Sequence, residues 1–157
     1  MFTLFGCDGL NNNTAGKEAS LVKVDKSERR LYLMHHEQVL YAFPIALGGN
    51  PEGHKQQEGD NRTPEGRYVL DYKKEDSSFY RAFHVSYPNL QDKAVARELG
   101  VSPGGLIMIH GQPNGLGALS PLLQQFDWTE GCIALTNRQM DIVMTRVPVG
   151  TPIDIQW

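Results

Sequence analysis

Apolar and polar residues alternate through the first part of the chain, from Ser20 to Ile45. The apolar residues form three runs, Leu21–Val24, Leu31–Leu33 and Val39–Ile45, separated by polar turns. A repeat of two is typical of β-strands with one buried face, so we predict three strands in a meander. The apolar positions of the third strand would be Val39, Tyr41, Phe43 and Ile45.

A polar segment rich in glycine and proline, Gly48–Gly66, interrupts this alternation. Long loops inside compact domains are usually functional or mobile, and both interpretations stay open here. Strand-like alternation then resumes in two further runs, the second of which ends at Pro88. A short apolar run bounded by glycines and ending at His110 predicts a buried strand, and "TPIDIQW" predicts a final one.

Two segments carry the signals of helices. The first runs from a capping residue, Asn89, to Gly100, and the second begins with the capping-box pair Thr136 and Gln139. The segment "SPLLQQF" predicts one or two helical turns. The apolar face of the first helix would be Ala94, Val95 and Leu99, and that of the second Met140, Val143, Met144 and Val147. The sum is a mainly β fold with a few short helices.

Composition limits the classes of function. The 157 residues, 40% of them hydrophobic, suit one globular domain. A net charge of −3 gives no basic excess for binding phosphates, so nucleic acid is not an expected partner. Two cysteines cannot build a disulfide framework, and no apolar run reaches the roughly 18 residues of a membrane span.

The N-terminus is expected to be a flexible tail, residues 1–18, in front of a domain covering residues 19–157. The stretch Leu4–Cys7 resembles a bacterial lipoprotein cleavage box, in which the cysteine is lipidated. Only six residues precede Cys7, which is too few for a signal peptide. A membrane anchor through lipidated Cys7 and a plain tail with an ordinary cysteine both stay open.

Cys132 is the strongest candidate for chemistry. A lone cysteine among apolar residues is most often a small buried hydrophobe. Here, however, it follows Gly131, which permits a tight turn, and it precedes the apolar triplet Ile133–Leu135 and a capped helix. A nucleophile needs this kind of fixed presentation, with backbone N–H groups free to hold an oxyanion.

A histidine could activate that thiol, since a neighbouring imidazolium lowers the pKa of a cysteine. His110 fits best, because it ends a predicted strand and is followed by Gly111, whose carbonyl could turn back to hold the imidazole Nδ1–H. His54 lies in the polar loop, and His84 fits a half-buried strand position. A zinc site of His84, His110 and Cys132 is conceivable, but no close ligand spacing supports it.

The combination "MIHG" and "WTEGCIALTN", with "EGDNRTPEGRY" upstream, resembles the bacterial L,D-transpeptidase catalytic domain over roughly Ser20 to Ile155. "SYPNLQDKAVARELGVSPGGLIMIHGQPNG" is similar to its envelope subgroup. The resemblance implies a β-sandwich-like fold, Cys132 as nucleophile, His110 as general base and acid, and Gly111 as its orienting carbonyl. The Cys132 N–H, with Gly131, would form the oxyanion hole. The other candidate site residues are Thr129, Tyr87 and Trp128, and for Trp128 a place in the cleft wall and a role in core packing both stay open.

The implied activity is transfer of a peptidoglycan stem peptide through a cysteine thioester, in the periplasm or cell envelope, without cofactor or metal. A carboxypeptidase or a hydrolase of cross-links or of protein-to-wall links would use the same chemistry with water. A non-catalytic envelope-binding module is the alternative of another class. The sequence departs from the family at two positions. The family often has His or Arg where this chain has Glu130, and Arg where this chain has Ala134. Glu130 should raise the pKa of the Cys132 thiol.

Overall fold

The computed structural model describes residues 14–157, so Cys7 and the tail sequence behind the lipidation prediction lie outside the described residues. Within this range the chain is mainly β with few short helices, as predicted. The strands are β1 Leu21–Asp25, β2 Arg30–His35, β3 Gln38–Pro44, β4 Gly66–Ser77, β5 Tyr80–Val85, β6 Met108–His110, β7 Ile133–Ala134 and β8 Pro152–Gln156. The α-helices are α1 Leu90–Leu99, α2 Ser120–Leu123 and α3 Asn137–Arg146. None of these helices has the length and apolar character that crossing a membrane requires.

The strands form one hydrogen-bonded series in the order β3-β2-β1-β8-β4-β5-β6-β7. Pairs β1–β8 and β6–β7 are parallel, and the other neighbours are antiparallel. The segment that follows β3 returns to the far end of the series, where Ala46 bridges Ala134 and Gly48 bridges Thr129. The two ends of the sheet thus meet around one apolar core, and this closure places the segment before β7 beside the start of the long loop.

The third strand corrects one sequence prediction. Val39 is exposed and Leu40 is buried, the reverse of the predicted apolar face. A register shift between Leu33 and Met34 explains the change, since Leu33 pairs with Tyr41 and Met34 pairs with Val39. Leu40 is the extra residue of a β-bulge and turns into the core, so alternation holds only beyond it.

The two longer helices differ in how well their sequences predicted them. The capping box at Thr136 and the buried face of α3, including Met140 and Val143, are confirmed. The predicted face of α1 is partly wrong, because Leu99 is exposed and the fully buried residues are Ala96 and Asp92, while Ala94 and Val95 are half-buried. Asp92 is buried because it closes the capping box and also binds side chains of the neighbouring strand and loop.

The long loop Gly48–Gly66 is held in place by buried polar contacts. The ammonium of Lys26, which is 0% exposed, donates to the carbonyl oxygens of Gly53 at 2.9 Å and Thr63 at 2.8 Å. Inside the loop, the Asp60 carboxylate accepts from Lys55 Nζ at 2.8 Å and from three backbone N–H groups. These bonds give the loop one defined path against the β-sheet.

Candidate active site

Cys132 and His110 lie on neighbouring strands. β6 ends at His110 and pairs in parallel with β7, with Ile109 opposite Ile133 and His110 opposite Ala134. Cys132 directly precedes β7, and its Sγ accepts a hydrogen bond from the Met108 N–H at 3.4 Å. The fold therefore joins the thiol to the strand that carries the histidine, although 21 residues separate the two in the sequence.

The His110 imidazole is held in one tautomer. Its Nδ1 lies 2.7 Å from the carbonyl oxygen of Gly111. A carbonyl only accepts, so Nδ1 carries the proton and Nε2 keeps a free lone pair. The position favours glycine, since a Cβ on Gly111 would lie 2.6 Å from Asn137 Oδ1 and 3.0 Å from Tyr80 Cβ.

Two aromatic rings border the imidazole. Phe79 stacks on it with ring centroids 4.5 Å apart, and Trp128 lies 5.7 Å away. The Trp128 indole Nε1 is buried and has no hydrogen-bond partner within residues 14–157. Trp128 was a predicted site residue, whereas Phe79 was not. Phe79 lies in the turn between β4 and β5, and the strand pattern around it gave no signal of this contact.

The sulfur of Cys132 lies between backbone groups of the segment leading into β6. Besides accepting from Met108, the thiol donates to the carbonyl oxygen of Leu106 at 3.4 Å. Leu106 has a positive φ of 53° and a side chain that is 73% exposed. Cys132 itself is only partly buried. The thiol is therefore fixed next to an open surface rather than enclosed in the core.

Burial disfavours the charged form of both groups. Burial lowers the pKa of His110 below its ordinary value of 6.5. Burial also raises the pKa of Cys132, and Glu130 raises it further, against the smaller effects of the Met108 N–H and Lys55. The expected lowering of the thiol pKa by an imidazolium is thus corrected, because desolvation disfavours both charged forms.

One of the two predicted oxyanion donors, the Gly131 N–H, is already bound within the turn before the nucleophile. The Thr129 hydroxyl donates to the Cys132 carbonyl at 2.7 Å and accepts from the Gly131 N–H at 3.2 Å. The Gly131 N–H is therefore already used, and the buried Thr129 hydroxyl shapes the turn instead of facing a ligand. Among the residues described, no backbone acceptor binds the Cys132 N–H.

Tyr87 does not line an open site. It is buried, and its hydroxyl donates to the Pro103 carbonyl at 2.8 Å. Tyr87 thereby supports the segment that leads to Leu106 and the thiol, a structural contact in place of the predicted substrate contact.

Three further residues singled out in the sequence, His84, Glu130 and Ala134, lie in different surroundings. His84 binds Asp71 at 2.6 Å, and residues 14–157 contain no group of three or more His, Cys, Asp or Glu arranged to hold a metal ion. Glu130 is exposed beside the turn. Ala134 is buried and exchanges two backbone hydrogen bonds with Ala46, so no side chain reaches the site from this position.

Comparison with known families agrees with this architecture. A profile of the YkuD family, described as the L,D-transpeptidase catalytic domain, matches residues 19–155. The chain therefore belongs to the L,D-transpeptidase catalytic domain family. A curated relative is YafK of Escherichia coli strain K12, whose own assignment as an L,D-transpeptidase is provisional. It is 30% identical over 132 residues, which cover 80% of this chain and 46% of YafK.

Solved structures show the same fold. Pgp2 of Campylobacter jejuni, a helical cell shape determining protein, superposes with a TM-score of 0.67 and 28% identity over 90% of this chain and 48% of that one. An L,D-transpeptidase from Xylanimonas cellulosilytica superposes with a TM-score of 0.58 at 13% identity, over 90% of this chain and 62% of that one, which supports the fold alone. The chain spans about half the length of YafK and Pgp2.

Proposed function

We propose that this protein is an L,D-transpeptidase-type cysteine acyltransferase that acts on peptidoglycan stem peptides, with residues 19–157 as its catalytic domain. The observation that carries the proposal is the His110 tautomer. Gly111 holds the Nδ1 proton at 2.7 Å, which leaves the basic Nε2 on the strand next to the nucleophile segment. Family membership supports an enzyme of this class.

The reaction proceeds in two acyl transfers. His110 Nε2 takes the Cys132 proton as the sulfur attacks the amide carbon, giving a tetrahedral oxyanion. The oxyanion collapses, the carbon–nitrogen bond breaks, and the protonated Nε2 returns its proton to the leaving amine. The thioester is then attacked by an acceptor amine in transfer or by water in hydrolysis, and His110 again accepts and returns a proton.

The neutral ground state fits this sequence of steps. A low pKa of His110 keeps Nε2 available as a base at neutral pH. A raised pKa makes the Cys132 sulfur a stronger nucleophile once the proton has left. The Cys132 N–H donates to the developing oxyanion.

The substrate class sets the location. Stem peptides lie in the cell wall, so we place the protein in the periplasm or cell envelope, with anchoring through a lipidated Cys7 as a further hypothesis. The similarity to Pgp2, which determines helical cell shape, extends the proposal to remodelling of the wall.

Purified muropeptides test the proposal. After incubation, new cross-linked dimers detected by mass spectrometry indicate transfer, and shortened stems or freed monomers alone indicate the hydrolytic alternative. The Cys132→Ala variant should produce neither. Full turnover by Cys132→Ala contradicts a cysteine mechanism. No turnover by the wild type favours the non-catalytic envelope module.

A further inference from the structure

We propose that Thr63 is a positioning residue for the nucleophile, because its hydroxyl orients the peptide whose N–H faces the oxyanion. This inference rests on the proposed acyl-transfer chemistry and adds to it a residue of the long loop. Thr63 Oγ1 donates to the Gly131 carbonyl oxygen at 2.8 Å, and Thr63 is fully buried.

The geometry of the peptide bond makes this contact directional. The bond between Gly131 and Cys132 is trans, so its carbonyl and its N–H point in opposite directions in one plane. A donor that holds the Gly131 carbonyl therefore fixes the Cys132 N–H on the opposite side, away from Thr63. Orientation fixed before the reaction is what makes an oxyanion donor effective.

The backbone of Thr63 is itself held in place. Its carbonyl oxygen accepts from the buried Lys26 ammonium at 2.8 Å. The preceding residue closes the space beside the glycine, since a Cβ on Gly131 would lie 2.6 Å from the Arg62 carbonyl oxygen. Gly131 has a positive φ of 132°, which other residues rarely adopt. The long loop is thus a fixed support for the nucleophile's peptide.

The two threonines at this turn act on different peptides. Thr129 binds the carbonyl of Cys132, on the C-terminal side of the nucleophile. Thr63 binds the carbonyl on its N-terminal side, which shares a peptide with the free Cys132 N–H. Only loss of the Thr63 contact should therefore affect the oxyanion donor directly.

Two reactions of the same thiol separate this role from general support. Acylation of Cys132 by 4-nitrophenyl acetate builds a tetrahedral oxyanion, whereas alkylation by iodoacetamide does not. We expect Thr63→Val to slow acylation about 10- to 100-fold while changing alkylation less than about twofold. Thr63→Ser, which keeps the hydroxyl, should restore most of the acylation rate.

Thr151→Val is the matched control, because Thr151 is also buried and its hydroxyl also donates to a backbone carbonyl, that of Pro148, at 2.7 Å. Its ratio of acylation to alkylation should equal the wild-type ratio. An unchanged ratio of acylation to alkylation in Thr63→Val overturns the inference, including the case in which both rates fall equally. If Thr63→Val does not fold, the same ratio is measured in Thr63→Ala. Inactivity of the wild type on muropeptides would instead refute the proposed function, while the ratio still tests Thr63.

Discussion

The two halves of the candidate site are held in different ways. The His110 half is fixed by neighbours on its own strands and turn, with the Gly111 carbonyl on Nδ1 and the Phe79 ring on its face. The Cys132 half is fixed by contacts to backbone groups, and one of them, from Thr63, comes from 68 residues away in the sequence. The base therefore depends on its own turn and on the β4–β5 hairpin, and the nucleophile depends on the path of the long loop.

This difference separates two kinds of damage. Changes around His110 should alter proton transfer while the loop stays in place. Changes around Lys26 or Thr63 should loosen the peptide of the nucleophile while leaving the imidazole tautomer intact. The predictions below test this separation, from the largest expected effect to the smallest.

Removing the base should have the largest effect. His110→Ala deletes the group that takes the thiol proton, and we expect acylation by a stem peptide to fall about 10²- to 10⁴-fold. The melting temperature should change little. His84→Ala is the control, because His84 binds Asp71 on the same sheet. Normal thioester formation by His110→Ala would remove this residue from the mechanism.

Removing the buried cation under the loop should mainly affect stability. Lys26→Met leaves the carbonyls of Gly53 and Thr63 without their donor, at a cost of about 1–3 kcal/mol in the free energy of unfolding. Lys73→Met is the control, since Lys73 also donates to a backbone carbonyl, that of Met144. Denaturant unfolding at fixed pH measures both. A Lys26→Met protein as stable as the wild type would contradict the anchoring of the loop.

The same variant makes a pH prediction with a defined sign. Burial lowers the pKa of Lys26 from 10.5 to about 8. Between these values the unfolded chain binds the extra proton, so this group makes the folded state more stable as pH rises from about 8 to 10.5. The wild type should therefore gain stability relative to Lys26→Met across this range. A constant difference between the two proteins would show that the ammonium is not desolvated.

Loosening the ring stack should have a smaller effect on activity. Phe79→Leu lets water reach the imidazole, so the pKa of His110 should rise towards its ordinary value. Activity at pH 6 should then fall up to about fourfold more than activity at pH 8, because less of the base is neutral. Phe126→Leu, at an exposed position, should keep the wild-type pH profile. Identical profiles for both variants would refute the role of the stack.

The charge beside the thiol should have the smallest effect. Glu130 raises the pKa of Cys132, so Glu130→Gln should lower it and speed alkylation by iodoacetamide at pH 7 about two- to threefold. The gain should shrink in high salt because Glu130 is exposed. Glu98→Gln, on α1, should leave the rate unchanged. A slower alkylation of Glu130→Gln would contradict the claim that Glu130 raises the pKa of Cys132.

The local part of this architecture could be predicted from the sequence, and the long-range part could not. The capped helix α3 and the strand ending at His110 followed from periodicity and turn residues. The bulge that buries Leu40 has no pattern of its own, since it depends on pairing with β2. Likewise, the contacts of Thr63 with Gly131 and of Phe79 with His110 exist only after the loop and the hairpin have folded onto the site.

The most direct test of the central claim is the mass of the protein during reaction with a stem peptide. Rapid acid quenching followed by intact-mass and peptide mapping should reveal an acyl adduct on Cys132 that hydroxylamine removes, as expected for a thioester. The His110→Ala variant should form it far more slowly. Turnover without any adduct on Cys132, or an adduct on another residue, would contradict this account.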